Sequence, residues 1–90
     1  VLEGFMYIHI GGEVTIPSHT ISLIVNLETV LPSQTHISDF IRAEDEVNRL
    51  EYLSGDLPKS LVITERRTYV SPISVSTLLR RISLFLPEFG

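Results

Sequence analysis

The chain has no cysteine, no tryptophan and a single methionine, Met6, and only 20% of its 90 residues are charged. Without thiols there is no disulfide framework, no thiolate zinc site and no cysteine nucleophile. No run approaches the roughly eighteen uninterrupted apolar residues of a membrane-spanning helix. Residues Val1 to Phe5 are too short, and too poor in basic residues, for a signal peptide. Together these absences point to a cytoplasmic protein. Catalytic signatures are missing as well. There is no Gly-x-Gly-x-x-Gly or Gly-Lys-Ser/Thr phosphate loop, no Gly-x-Ser-x-Gly elbow, and no carboxylate pair with an acid–base split. The expectation is a protein that is not an enzyme, holds no cofactor or metal, and has no evident small-molecule substrate.

What remains is 43% hydrophobic, with five glycines and five prolines, the proportions of a folded globule. Ninety residues make one small domain, and a chain of this size buries only about 60–65% of its unfolded surface. The patterned sequence starts at Met6, so the domain is placed at 6–85, with 1–5 and 86–90 as terminal extensions. The net charge is −4, which argues against a generally basic nucleic-acid binder. The charge is unevenly spread along the chain. Up to Pro58 there are two basic residues, Arg42 and Arg49, against nine acidic ones. From Lys59 onward there are five basic residues against Glu65 and Glu88. A ligand feels such a local patch more than the net value.

Phe5 to Ile10 is apolar and β-branched and stops at Gly11-Gly12. Glu13 to Ile16 alternates with period two and stops at Pro17, so a hairpin is predicted. His19 to Leu27 is a third β-branched run, which suggests an antiparallel meander. The period then changes. Phe40, Ala43, Val47 and Leu50 recur at spacings of three and four, predicting an amphipathic helix over about residues 37–53. Thr35 or Ser38 is its candidate cap, and Arg42–Glu46 and Asp45–Arg49 are candidate i,i+4 ion pairs. Gly55 and Pro58 are its expected stop. Ser60 to Thr64, a polar turn at Glu65-Arg66-Arg67-Thr68, and Tyr69 to Ser71 read as a second hairpin. Val75, Leu78, Leu79 and Ile82 form a short last helix, capped by Ser74 or Ser76. The order β-β-β-α-β-β-α, with helices and hairpins segregated, defines an α+β domain built on a small antiparallel sheet.

The candidate binding residues are basic. Arg66 and Arg67 sit at a hairpin tip, and guanidinium forks suit phosphates. Lys59 lies at the far end of the preceding strand, and Arg80 and Arg81 add charge from the last helix. His9 and His19 could approach one another but lack a carboxylate at ligand spacing. One copy offers few phosphate contacts, whereas repeated copies multiply them. Apolar residues on both faces of the third strand, together with exposed strand edges, favour a homo-oligomer.

Met6-Tyr7-Ile8-His9-Ile10-Gly11-Gly12, Leu57 to Thr64, Tyr69 to Ser74 and Ser76-Thr77-Leu78 occur in an order that resembles the small bacterial extracellular-matrix regulators, the RemA/RemB family, and most closely its RemB type. The resemblance runs from about Met6 to Arg81. It implies a cytoplasmic regulator of biofilm extracellular-matrix genes with a LytTR-like fold. Such a regulator would form a ring-shaped homo-oligomer and bind DNA directly as a transcriptional regulator. An alternative within the same family is an oligomeric protein-interaction module that does not contact DNA. RemA-type members carry an arginine where His19 stands here, and two adjacent arginines where Asp56 and Leu57 follow Gly55. Lys59 keeps the basic character of its position. The expected DNA-contacting set joins His19 and Lys59, which stand at family positions, to Arg66, Arg67, Arg80 and Arg81, which are candidates by their charge alone; Arg66 and Arg67 sit at a different turn from the family's arginine pair.

Overall fold

The computed structural model describes residues 6–83. The expected extensions at 1–5 and 86–90, and the last two residues of the expected domain, lie outside the described residues. Strands β1 (Tyr7–Gly11) and β2 (Val14–Pro17) pair antiparallel around the two-residue connection Gly12-Glu13. Both glycines are needed there. Gly11 and Gly12 have φ of 135° and 56°, and a Cβ on Gly12 would lie 2.4 Å from the Leu53 carbonyl oxygen. Only glycine fits that backbone against that neighbour.

The expected meander is not formed. Pro17 lacks an N–H to continue the ladder, and Ser18–Thr20 turn as a single 3-10 helix. The Thr20 hydroxyl donates to the Pro17 carbonyl at 2.7 Å, and the Ser18 amide donates to the Met6 carbonyl at 2.7 Å. The chain is thereby redirected into a second sheet. There β3 (Ile21–Asn26) runs antiparallel to β5 (Ser60–Thr64).

Helix α1 (Thr35–Glu46) is shorter than its apolar spacing predicts. Asn48 takes the left-handed conformation, φ 60°. The Arg49 amide donates to the Glu44 carbonyl at 2.9 Å and the Asn48 amide to the Asp45 carbonyl at 3.1 Å. These two bonds make a Schellman stop in which asparagine replaces the usual glycine. The chain then extends into β4 (Leu50–Tyr52), a strand absent from the predicted order, which pairs parallel with β6 (Thr68–Ser71). At the other end, neither Thr35 nor Ser38 caps α1. The cap position is Gln34, which makes no side-chain cap bond, and Ser38 donates to the Thr35 carbonyl instead. Arg42 pairs with Asp39 at 3.6 Å and Arg49 with Glu44 at 3.1 Å, in place of the two expected i,i+4 pairs. In α2 (Val75–Ser83) the Ser74 hydroxyl accepts from the Thr77 amide, so the serine cap is present.

The larger sheet has the order β3-β5-β6-β4, antiparallel except for its last pair. The fold is thus a small α+β domain with one two-stranded and one mixed four-stranded sheet, rather than a single antiparallel one. On one face of the larger sheet Val62 packs with Ile8, Ile10, Ile16 and Leu78, all buried, drawn from the first hairpin and α2. Leu61 and Val70 are cross-strand partners and share the opposite face with Thr68. The Thr68 hydroxyl donates to Glu44 of α1 at 2.6 Å, which places that helix over this second face.

Three buried hydroxyls tie the layers together. Ser71 Oγ donates to the Ile10 carbonyl, a bond between residues 61 apart in sequence that joins the two sheets. Ser60 Oγ donates to the Ile73 carbonyl at 2.8 Å, at the start of the turn into α2. Thr68 is the third. Ser71→Ala leaves a buried carbonyl without its donor and is expected to lower unfolding stability by about 1–3 kcal/mol. Asn48→Val is expected to cost about 1–2 kcal/mol, because a β-branched side chain resists the left-handed conformation, whereas Asn48→Gly retains stability. Urea denaturation of the three variants checks both values.

Candidate functional site

The basic residues fall into separate groups. Arg66 and Arg67 occupy the three-residue turn between β5 and β6, whose backbone is held from both sides. Inside the turn, the Thr64 hydroxyl donates to the Arg67 carbonyl at 2.7 Å and accepts from the Arg67 amide at 3.0 Å. Outside it, the Arg49 guanidinium donates to the Glu65 carbonyl at 3.1 Å and to the Thr64 carbonyl at 3.3 Å. Its Nε is anchored on Glu44. Arg49 is read from sequence as part of an exposed helical ion pair, yet here it braces the turn that presents Arg66. The pattern that would have revealed this is Asn48-Arg49 as a helix stop, which places Arg49 just beyond the helix.

Arg66 is exposed and has no intramolecular hydrogen bond or ion pair among the described residues. Arg67 reaches Glu51 at 3.9 Å, with both side chains nearly half exposed. Such a pair contributes about 0–1 kcal/mol and leaves the cation available. His19 lies in the 3-10 turn directly before β3. The register pairs Ile21 with Thr64, which puts that turn beside the Arg66 turn, and Thr20 and Arg66 line one cleft. The structure therefore brings His19, Arg66 and Arg67 to one end of the larger sheet.

Lys59 does not join them. Its amide donates to the Ser71 carbonyl at 2.8 Å and its carbonyl accepts from Leu27 at 3.0 Å, pinning it at the opposite end of β5. A five-residue strand separates it from the arginine turn, about 17 Å at about 3.3 Å per residue. Arg80 and Arg81 diverge around α2. Arg80 is exposed, whereas Arg81 is directed inward onto β1. Its Nη1 donates to the His9 carbonyl at 2.7 Å and approaches His9 Nδ1 at 3.3 Å. His9 Nε2 lies 2.8 Å from the Gly12 carbonyl oxygen, which can only accept. The histidine proton is therefore assigned to Nε2, and Nδ1 offers its lone pair to Arg81. Arg81 is thus a clamp between α2 and the first hairpin. No group of three or more His, Asp or Glu comes together as a metal site among the described residues. No described helix is long and apolar enough to cross a membrane.

No protein-family model matches the chain, and no curated protein matches it.

The two adjacent arginines of α2 should behave differently. Arg81→Ala removes a charged donor from a backbone carbonyl and is expected to cost about 1 kcal/mol. Arg80→Ala should stay within about 0.5 kcal/mol of the parent, as surface substitutions usually do. Paired thermal or urea melts check the contrast.

Proposed function

We propose that the protein is a non-enzymatic, cytoplasmic regulator of the extracellular-matrix regulator kind. It acts as a homo-oligomer, with a ring as the simplest closed form, and meets DNA through the end of the sheet that carries Arg66, Arg67 and His19. The observation that carries the reading is where the resembling motifs lie. Ile8, Ile10 and Gly11 come from the first motif, Ser60 to Val62 from the second, Val70 and Ser71 from the third, and Leu78 from the fourth. All of them are buried. The serines of these motifs make the bonds to Ile10 and Ile73 that join the layers. The likeness thus rests on the residues that determine the fold, which is where relatives with different surfaces stay alike.

Self-association is supported by the thin packing of the second face. Helix α1 buries no residue completely. Leu23 and Tyr52, on the two edge strands of the larger sheet, remain 56% and 59% exposed. Their outer edges have no pairing partner among the described strands, so both backbone and side chains are available to a second copy. An assembly would repeat Arg66 and Arg67 at regular intervals, and each engaged arginine would add a phosphate contact.

The second reading, an oligomeric module that recognises protein rather than DNA, is favoured by the dispersal of the other cations. Lys59 faces the wrong end, Arg81 is spent on His9, and Glu51 stands beside Arg67.

Salt-titrated binding to duplex DNA separates the two. The expected result is binding at low salt that weakens log-linearly with salt. In Arg66→Ala/Arg67→Ala the slope should fall by about one to two per engaged protomer. Absence of binding at low salt, with an oligomer persisting in sedimentation, would leave the protein-partner reading. A monomeric mass throughout the micromolar range would overturn both.

A further inference from the structure

We propose that the cleft beside the arginine turn is a binding site for a small monocarboxylate with an apolar body, such as an aromatic acid. The cleft has a volume of about 390 Å³, within the roughly 300–1,000 Å³ span of small-molecule sites. Three segments far apart in sequence form it: the end of β2, the 3-10 turn and the β5–β6 hairpin. Its apolar lining comes from Ile16, Pro17 and Tyr69. Tyr69 packs against the core and is half-buried, so its ring is held in place.

The polar groups at the site have unused capacity. The Arg66 guanidinium and the Tyr69 hydroxyl have no hydrogen-bond partner among the described residues. Thr20 donates its only hydroxyl proton to the Pro17 carbonyl and keeps its lone pairs as acceptors. Thr64, by contrast, already both donates and accepts within the turn, so it contributes shape alone. Two sets of donors therefore line the cleft together with apolar groups, an arrangement that orients a small acid by its carboxylate.

Charge selects among the anions. The cleft is lined by one cation, Arg66, and one anion, Glu65. A single carboxylate accepts the guanidinium fork in bidentate fashion. A phosphate dianion seated inside the cleft would bring a second negative charge toward Glu65. The site is thus distinct in ligand class from the DNA contact proposed above, although it shares Arg66 with it. A bound acid would withdraw Arg66 from phosphate and act as an effector. That consequence rests on the DNA reading, whereas the site itself does not.

Indole-3-acetate is a suitable probe, titrated by calorimetry and by amide chemical shifts in the absence of DNA. Indole-3-acetamide and inorganic phosphate are the comparators. Saturable binding with submillimolar dissociation constant is expected, with shifts confined to β2, the 3-10 turn and the β5–β6 turn. Arg66→Ala and the neutral amide should each weaken binding at least about tenfold. Tyr69→Phe, which keeps the ring, should weaken it by a smaller factor while leaving shift dispersion intact. Phosphate should not saturate. No saturation by indole-3-acetate at millimolar concentration would overturn the proposal. So would equal affinity for the amide, for phosphate or for folded Arg66→Ala. Because these measurements contain no DNA, their failure is distinguishable from failure of the regulatory reading.

Discussion

The docking of a two-stranded hairpin onto a separate sheet fixes the core, the Gly11-Gly12 turn and the cleft beside Arg66. The two sheets share no backbone ladder. They are held by the packing of Ile8, Ile10 and Ile16 on Val62 and Leu78, and by one buried hydroxyl, Ser71, on the Ile10 carbonyl. Burying that carbonyl without a donor would cost what the interface can least spare in so small a core. The Gly11-Gly12 connection follows from the same requirement, since the hairpin tip lies against Leu53 and Pro72 too closely for a side chain. Arg81 then fastens α2 across the hairpin from above. Sequence-distant residues are thus committed to one geometry, and the position of β2 relative to β5 is what opens the cleft beside Arg66.

The opposite face of the sheet is organised by charge rather than by bulk. Glu44 accepts from Arg49 and from Thr68, and Arg49 continues to the carbonyls of Thr64 and Glu65. This links the end of α1, the entry to β4 and the β5–β6 turn. Glu44 is largely buried while Arg49 is about one third exposed, so the pair owes more to its directed hydrogen bonds than to bare Coulomb attraction. Its consequence is at the tip. A turn whose Thr64, Glu65 and Arg67 carbonyls are already bonded presents Arg66 from a rigid base, which lowers the ordering cost of binding anything there.

Much of the fold is legible from local signals. The first hairpin follows from alternation and Gly-Gly, β5 and β6 from their β-branched runs, and α2 from its periodicity and the Ser74 cap. Where local signals conflict, the chain follows the less conspicuous one. Leu50 extends the helical spacing of Phe40, Ala43 and Val47, but it also alternates with Tyr52, and Asn48 stops the helix as a glycine would. A three-residue parallel strand such as β4 carries no signal of its own, because its pairing is decided by β6, far along the chain. The meander fails for a similar reason, since Pro17 and a 3-10 turn redirect β3 to another sheet. At the site, Arg66 and Arg67 are visible as a polar turn, whereas the cleft is not. Its walls come from three segments whose proximity only the register of β3 on β5 establishes.

The division of charge along the chain changes meaning in three dimensions. An acidic front and a basic back suggest two opposed faces, yet Glu51 with Arg67 shows the two meeting at one edge of the sheet. Arg49 belongs to the acidic part of the sequence and braces the basic turn, while Lys59 belongs to the basic part and lies at the far end. At this end of the sheet a single protomer consequently presents only Arg66 and Arg67, with Glu65 inside one Debye length of about 8–10 Å of them. Each phosphate contact contributes a salt slope of about 0.9, so one copy can hold DNA only weakly. The strength of any such contact must come from the number of copies held in register. The unpaired strand edges and the apolar residues beside them are therefore part of the binding problem rather than a separate matter of quaternary structure.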